Sequence, residues 1–289
     1  MAESKYLCWG LRMTELKLDD RTLKWIRDGR GSGSGKDYVP WLTVGDVSSK
    51  GRVHRVQGHL SQRSHHLLSD LELSTFLLLE WNPRVSDIRE QFPLNVDETR
   101  QIAEELGIRH PAVSGNTQVM SSDFLVDMQH SITGPVKKLA IQVKPLEALM
   151  EPRTLEKLRI EQCYWQKKGI DWKVVTERDL PSVYVKNLVL LHPAAQLDQP
   201  LDLLLSTVPV LDRYFARYCS TRLPEVGMLI DEEYALDSGT TLSRIRTLCA
   251  LRIFRFDLNI PWESLCAGDL VWSETAPLKE CLRYSHAKN

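Results

Sequence analysis

A chain of 289 residues with 43% hydrophobic and 26% charged side chains is globular material, long enough for two medium domains with cores of their own. Its 37 Lys and Arg against 38 Asp and Glu exclude strong unspecific DNA binding by the whole molecule, because that affinity comes from neutralising phosphates. The longest apolar stretches, around residues 76–79 and 189–191, fall far short of the roughly 20 residues that span a bilayer. The start Met1-Ala2-Glu3-Ser4-Lys5 opens no secretory signal, and six cysteines without a C-x-x-C pair or zinc-ligand spacing point to buried or free thiols in a reducing, cytoplasmic setting.

In chain order, the first predicted element is a short helix over residues 18–27. A flexible glycine-rich segment follows, Gly29-Arg30-Gly31-Ser32-Gly33-Ser34-Gly35-Lys36-Asp37. It is no phosphate loop: Walker geometry needs glycine where Arg30 stands and Ser or Thr where Asp37 stands, and no buried strand precedes it, so nucleotide binding is rejected. Residues 1–66 hold twelve Lys and Arg against seven Asp and Glu, and Lys50, Arg52, His54, Arg55, Arg63, His65 and His66 crowd the approach to the next helix. Of these, Arg52, Arg55, His65 and His66, together with Lys36, are candidates for contact with DNA phosphates; the plain alternative is a solvated basic loop.

Ser69-Asp70-Leu71-Glu72 is a capping-box sequence, in which the Ser69 hydroxyl and the Glu72 carboxylate satisfy amides of the first turn. Leu71, Thr75 and Leu78 then recur with helical spacing, to about Glu80. Residues 85–94 form a strand ended by Pro93, and a long connection holding His110-Pro111 and Gly115-Asn116 leads to a second strand at 119–127. A third, 139–144, is stopped by Pro145. A helix over 152–168 turns Leu155, Leu158 and Trp165 inward and stops at Gly169, before a fourth strand at 171–176. The order helix, three strands, helix, strand makes an α/β domain over residues 1–180. Beyond Pro181, helices at 201–218 and 241–251 and a strand pair at 252–258 and 270–273 outline a smaller winged-helix-like domain, residues 181–289. Thr240 or Thr241 is a candidate cap for the helix carrying Arg244 and Arg246, arginines that suit phosphate, a partner protein or simply the wet face of the helix.

Strand alternation places the chemistry. Gln142 and Lys144 share one face while Leu139, Ile141 and Val143 fill the core on the other, and Asp123 faces away from Phe124 and Val126. If the two strands pair, a carboxylate, an amide oxygen and an ammonium converge at a sheet edge, with Glu72 as a further acid from the upstream helix. Oxygen ligands suit Mg²⁺, with Mn²⁺ as a substitute. Phosphodiester hydrolysis needs an activated water, a neutralised phosphate and a stabilised leaving oxygen, which one or two such ions about 4 Å apart supply. Asp123 is then the central ligand, Glu72 a second, Gln142 lends its side-chain oxygen, and Lys144 orients or activates the water. Taken singly, Glu72 is also a helix cap, Asp123 a turn aspartate and Lys144 a strand-end lysine. A site of this design usually carries an acid where Gln142 stands.

The stretches Gly35-Lys36-Asp37-Tyr38-Val39-Pro40-Trp41-Leu42-Thr43-Val44, His66-Leu67-Leu68-Ser69-Asp70-Leu71-Glu72, Asp87-Ile88-Arg89-Glu90-Gln91-Phe92-Pro93-Leu94, Asp123-Phe124-Leu125-Val126-Asp127, Gln142-Val143-Lys144-Pro145 and Thr154-Leu155-Glu156-Lys157-Leu158 together resemble TnsA, the endonuclease subunit of heteromeric bacterial cut-and-paste transposases. The resemblance runs from about residue 20 to 176 and includes glutamine before the lysine. It implies a type II restriction-endonuclease fold, Mg²⁺ dependence, and nicking of the non-transferred strand at the transposon's 5′ ends. A separate DDE transposase subunit, TnsB, would cut and join the 3′ ends, and an AAA+ ATPase regulator, TnsC, would be contacted through the carboxy-terminal domain. It places the catalytic set on Glu72, Asp123, Gln142 and Lys144, with the first three as metal ligands. Glu161 matches a further acidic position near the metal, on a helix where a solvated-face role is equally available. Two other readings stay open. A stand-alone restriction or repair nuclease would cut purified DNA without partners, and a non-catalytic assembly factor on a nuclease fold would not need the four residues intact.

Overall fold

A computed structural model describes residues 17–47, 51–129, 134–197 and 200–272. The chain begins with α1 (Asp20–Arg27), whose first turn is capped where the Asp19 carboxylate accepts the Thr22 amide. The strands β1 (His54–Gln57) and β2 (Ser64–Leu67), α2 (Asp70–Trp81), β3 (Val85–Pro93) and α3 (Val96–Glu105) follow. Next come the two-residue strands β4 (Ala112–Val113) and β5 (Asn116–Thr117), the long strands β6 (Ser121–Gln129) and β7 (Val136–Val143), α4 (Pro152–Lys167) and β8 (Asp171–Val175). Then come α5 (Ser182–Ala194), α6 (Leu201–Leu205), α7 (Val208–Arg217), α8 (Leu223–Glu233), α9 (Thr240–Ala250), β9 (Phe254–Arg255) and β10 (Val271–Trp272). Contacts divide the chain into two compact units, Met1–Ser48 with Asp87–Val174, and Ser49–Ser86 with Val175–Asn289. No described helix is long and apolar enough to cross a membrane, and the described cysteines 163, 219, 249 and 266 are free thiols.

The first unit is built on a mixed sheet of order β3-β6-β7-β8 flanked by helices. β6 and β7 run antiparallel, with Phe124 opposite Ile141 and Gln129 opposite Val136. On one face Leu125 and Ala140 pack with Leu94 beneath Ile102 and Ala103 of α3 and Ile160, Tyr164 and Trp165 of α4. Phe124, Val126, Ile141 and Val143 on the other face are buried too, so these strands read as continuous apolar runs. Leu155, expected inward, is 49% exposed, because α4 meets the core only from its second turn.

The long connection before β6 proves to be structured. Asn95 accepts the amides of Asp97 and Glu98 to start α3, and β4 and β5 form a hairpin whose turn residues Ser114 and Gly115 take positive φ, a two-residue turn matched to strand twist. Nor is the glycine-rich segment a loose linker. The Gly31 amide donates to the Val39 carbonyl at 2.6 Å, Gly31 has φ +78°, and a Cβ there would lie 2.1 Å from Pro93 Cγ. Glycine is present because the backbone crosses the end of β3 too closely for any side chain.

In the second unit β1 and β2 form a hairpin, α2 packs on α5, α5 on α9, and α8 on α9. Neither α5 nor α8 was expected from periodicity. The single helix anticipated over 201–218 is two, broken at Ser206-Thr207, with Pro209 in the first turn of α7 where its missing amide costs nothing. α9 is capped by neither Thr240 nor Thr241: the buried Asp231 carboxylate of α8 accepts the Gly239 and Thr241 amides at 2.8 and 2.9 Å. β9 and β10 pair antiparallel, much shorter than the strands anticipated, and Ser273 lies outside the described residues.

Candidate active site

The backbone ladder between β6 and β7 stops at Phe124 and Ile141, and the next residues outward are Asp123 and Gln142. There a side chain replaces the backbone acceptor: Gln142 Oε1 accepts the Asp123 amide at 3.2 Å. Asp123 Oδ2 in turn accepts the Val143 amide at 2.7 Å, and Lys144 Nζ lies 3.2 Å from the same oxygen and 2.9 Å from the Val143 carbonyl oxygen. Asp123 and Gln142 are only 6% and 7% exposed, so this charged group is held by donors instead of water. The structure thus brings three of the four candidates together.

Glu72 sits in the first turn of α2, in the second unit, and is buried. Ser69 Oγ accepts the Glu72 amide, as the capping sequence predicts. The Glu72 carboxylate, however, accepts the Leu68 amide at 2.9 Å and the Ser69 hydroxyl at 3.1 Å, reaching one residue further back than a capping box requires. The buried face of α2 is carried by Glu72, Thr75, Phe76, Leu77 and Glu80, so of the Leu71, Thr75 and Leu78 stripe only Thr75 is buried.

Behind Asp123, the hydroxyl of buried Ser122 donates to Glu161 Oε1 at 2.5 Å and accepts Trp165 Nε1–H at 2.8 Å, while Trp172 Nε1–H donates to the same Glu161 oxygen at 3.0 Å. Glu161 is 2% exposed, which removes the solvated-face reading. Burial pushes its pKa up to about 7, and the charge of Asp123 pushes the same way, against the Ser122 and Trp172 hydrogen bonds and the Lys144 ammonium. The signal was in the sequence: Leu158, Glu161 and Trp165 share one helical stripe.

The candidate DNA contacts separate. Lys36 is exposed in the short turn Gly35–Asp37 of the first unit, where the Gly35 amide donates to Asp87 Oδ1 at 3.3 Å. Arg52 is exposed and pairs with Asp70 at 2.9 Å, and hydrogen bonds from His54 and Arg52 hold that carboxyl below the usual range. Arg55 on β1 is exposed opposite half-buried His66 on β2. His65 must be withdrawn: it has no exposed surface, its Nε2 meets Ser61 Oγ at 2.6 Å, and its ring packs on Phe76 with centroids 4.5 Å apart. Lys50 lies outside the described residues.

A divalent cation fits the donors at the strand ends. The Asp123 carboxylate, the Gln142 amide oxygen and the Val143 carbonyl are hard oxygens of the kind Mg²⁺ takes. The Lys144 ammonium, bridging Asp123 Oδ2 and Val143 O, is itself a cation seated on two of them. Among the described residues no group of three or more His, Cys, Asp or Glu stands ready to hold a metal, so an ion here depends on the neutral oxygens as well.

Two family descriptions cover most of the chain. Residues 82–177 match the TnsA-like endonuclease N-terminal family and residues 179–258 the TnsA endonuclease C-terminal family. The transposon Tn7 transposition protein TnsA of Escherichia coli is 44% identical over 259 residues, 90% of this chain and 93% of that protein.

Proposed function

Because the chain belongs to the TnsA family of transposition endonucleases, we propose that it cuts the non-transferred DNA strand at the 5′ ends of a transposon. In this reading it works in the cytoplasm with a DDE transposase subunit of the TnsB kind and an AAA+ ATPase of the TnsC kind, and takes Mg²⁺, which Mn²⁺ can replace. In this reading residues 1–180 are the restriction-endonuclease-like catalytic domain and residues 181–289 a winged-helix-like domain for partners, a division along the sequence that differs from the compact units, where residues 49–86 group with the later part of the chain. The observation that carries the reading is the junction of Asp123, Gln142 and Lys144 at two paired strand ends. Asp123 and Gln142 would hold the cation, and Glu72 keeps the ligand role that the resemblance gives it. When bound, that ion supplies charge neutralisation at the scissile phosphate and an acidified water.

The protein's own residues do the rest. The Val143 amide fixes the Asp123 carboxylate before substrate arrives, so no reorientation is needed during reaction. Lys144, with a side chain 31% exposed, is anchored at its ammonium yet open to solvent, suited to hold the attacking water and offset the growing negative charge. Exposed Lys36, Arg52, Arg55 and half-buried His66 remain candidates for phosphate contact. Near-balanced charge fits an enzyme delivered to its substrate by partners.

The test combines the protein with its transposase and ATPase partners, transposon-end DNA and Mg²⁺, and maps the broken strands. Asp123→Ala should abolish the 5′-strand cut while assembly and 3′-end joining persist, turning simple insertions into cointegrates. Unchanged 5′ cutting by that variant refutes the site. Efficient cutting by the protein alone would favour a stand-alone nuclease, and no cutting in any mixture an assembly factor.

A further inference from the structure

Five described residues other than glycine have positive φ: Gln62, Gln91, Ser114, Ala235 and Arg252. Four stand in turns, bends or just past helix ends, whereas Gln91, at φ +47°, lies inside β3. A side chain bearing a Cβ takes this conformation at a cost, and a strand interior offers no reason to bear it. Local packing over-determines it. The Trp41 amide donates to the Gln91 carbonyl at 3.2 Å, and the Tyr38 hydroxyl donates to the Glu90 carbonyl at 3.0 Å. The Tyr38 ring stacks on Phe92 with centroids 6.4 Å apart, and Gly31 crosses Pro93 at the distance that excludes a Cβ. Residues 31–41, which include most of the glycine-rich segment, therefore grip four consecutive residues of β3.

The grip turns the Gln91 side chain toward the site. It is 2% exposed, with Nε2 3.4 Å from Asp123 Oδ1, and its Oε1 accepts the Ser121 hydroxyl at 3.3 Å. A carboxylate only accepts, so the amide nitrogen must be the end facing Asp123, and Ser121 holds the opposite end. The other Asp123 oxygen is already tied to the Val143 amide and Lys144. We infer that Gln91 is a positioning residue: clamped by the segment around Gly31, Tyr38 and Trp41, its amide sets the rotation of the Asp123 carboxylate. A neutral donor does this without adding a charge that competes for a cation. The assignment rests on the reading of Asp123 as the central metal ligand.

Gln91→Asn tests it, because asparagine tolerates positive φ better than most residues while its amide is one methylene too short to reach Asp123. Three quantities are read on the full chain: the thermal melt, Mn²⁺ binding by calorimetry, and 5′ cutting in the complete transposase mixture. The expected result is a melt close to the parent, Mn²⁺ affinity and kcat each down about tenfold, and an unchanged KM for DNA. Parent-like Mn²⁺ binding and cutting would overturn the assignment, as would unfolding, since this backbone is argued to accept asparagine. A lowered melt with unaltered Mn²⁺ affinity would mark Gln91 as merely structural and also overturn it. Asp123→Ala is measured alongside. If it binds Mn²⁺ and cuts, the reading of the site itself has failed; if it is silent while Gln91→Asn behaves like the parent, only the role of Gln91 has.

Discussion

Glu161→Gln separates the electrostatic cost of the buried acid from its hydrogen bonds. In the folded protein burial raises the Glu161 carboxyl from its ordinary value of 4.5 to about 7. Between those values the unfolded chain loses this proton while the folded one keeps it, so folding takes up a proton and stability falls as pH rises through the window. Below 4.5 the group costs nothing; above about 7 the loss is complete. At about 1.4 kcal/mol per pH unit, the full loss is about 3 kcal/mol. Glutamine is isosteric, its carbonyl can accept from Ser122 and Trp172 as Glu161 Oε1 does, and it does not titrate. Urea unfolding of both proteins in EDTA, followed by tryptophan fluorescence from pH 5 to 8, gives the difference directly. Relative to the parent, Glu161→Gln should gain about 2–3 kcal/mol of stability between pH 5 and pH 8. Stability curves that run parallel across this range would refute the buried, proton-retaining carboxyl.

Asp231→Ala removes the acceptor of two amides at the start of α9 from a buried position, and should lower unfolding free energy by about 2–4 kcal/mol, read from denaturant melts. Asp231→Asn, which keeps a carbonyl oxygen for one of the two, should lose less. Lys144→Ala should leave the melt close to the parent and reduce 5′ cutting by at least about a hundredfold. Its Mn²⁺ affinity should be equal or tighter, because the ammonium no longer sits on Asp123 Oδ2 and Val143 O. Weaker Mn²⁺ binding would count against the oxygens that Lys144 bridges as the cation's ligands.

The first unit was legible wherever a breaker bounded an apolar run. Pro93 ends β3, Pro145 follows β7, and Gly169 follows α4. α3 was missed although Asn95 with Asp97 and Glu98 is a sound helix start, because His110-Pro111 and Gly115-Asn116 drew the whole stretch into a loop. In the second unit, α5 is apolar on most sides and shows no clean stripe, so periodicity did not find it. Pro209 should have divided the helix over 201–218, since a proline in mid-helix removes an amide donor and crowds the preceding turn.

The site divides along the same line. Asp123, Gln142 and Lys144 needed only strand alternation, which the sequence carries, and the pairing of their two strands, which the antiparallel register of β6 and β7 supplies. The buried acids defeat the rule that charge faces water, each through partners distant in sequence or in an unexpected direction. Glu80 turns inward because the Leu60 amide and His192 Nε2 bind it, 20 and 112 residues away. Glu161 turns inward because Ser122 and Trp172 do. Glu72 turns back to Leu68. An acid on an otherwise inward stripe is thus better read as a question about its donors than as a misplaced surface residue. Gln91 lies beyond even that test, since its side chain is aimed by a backbone torsion that residues 31–41 impose and no local pattern in β3 encodes.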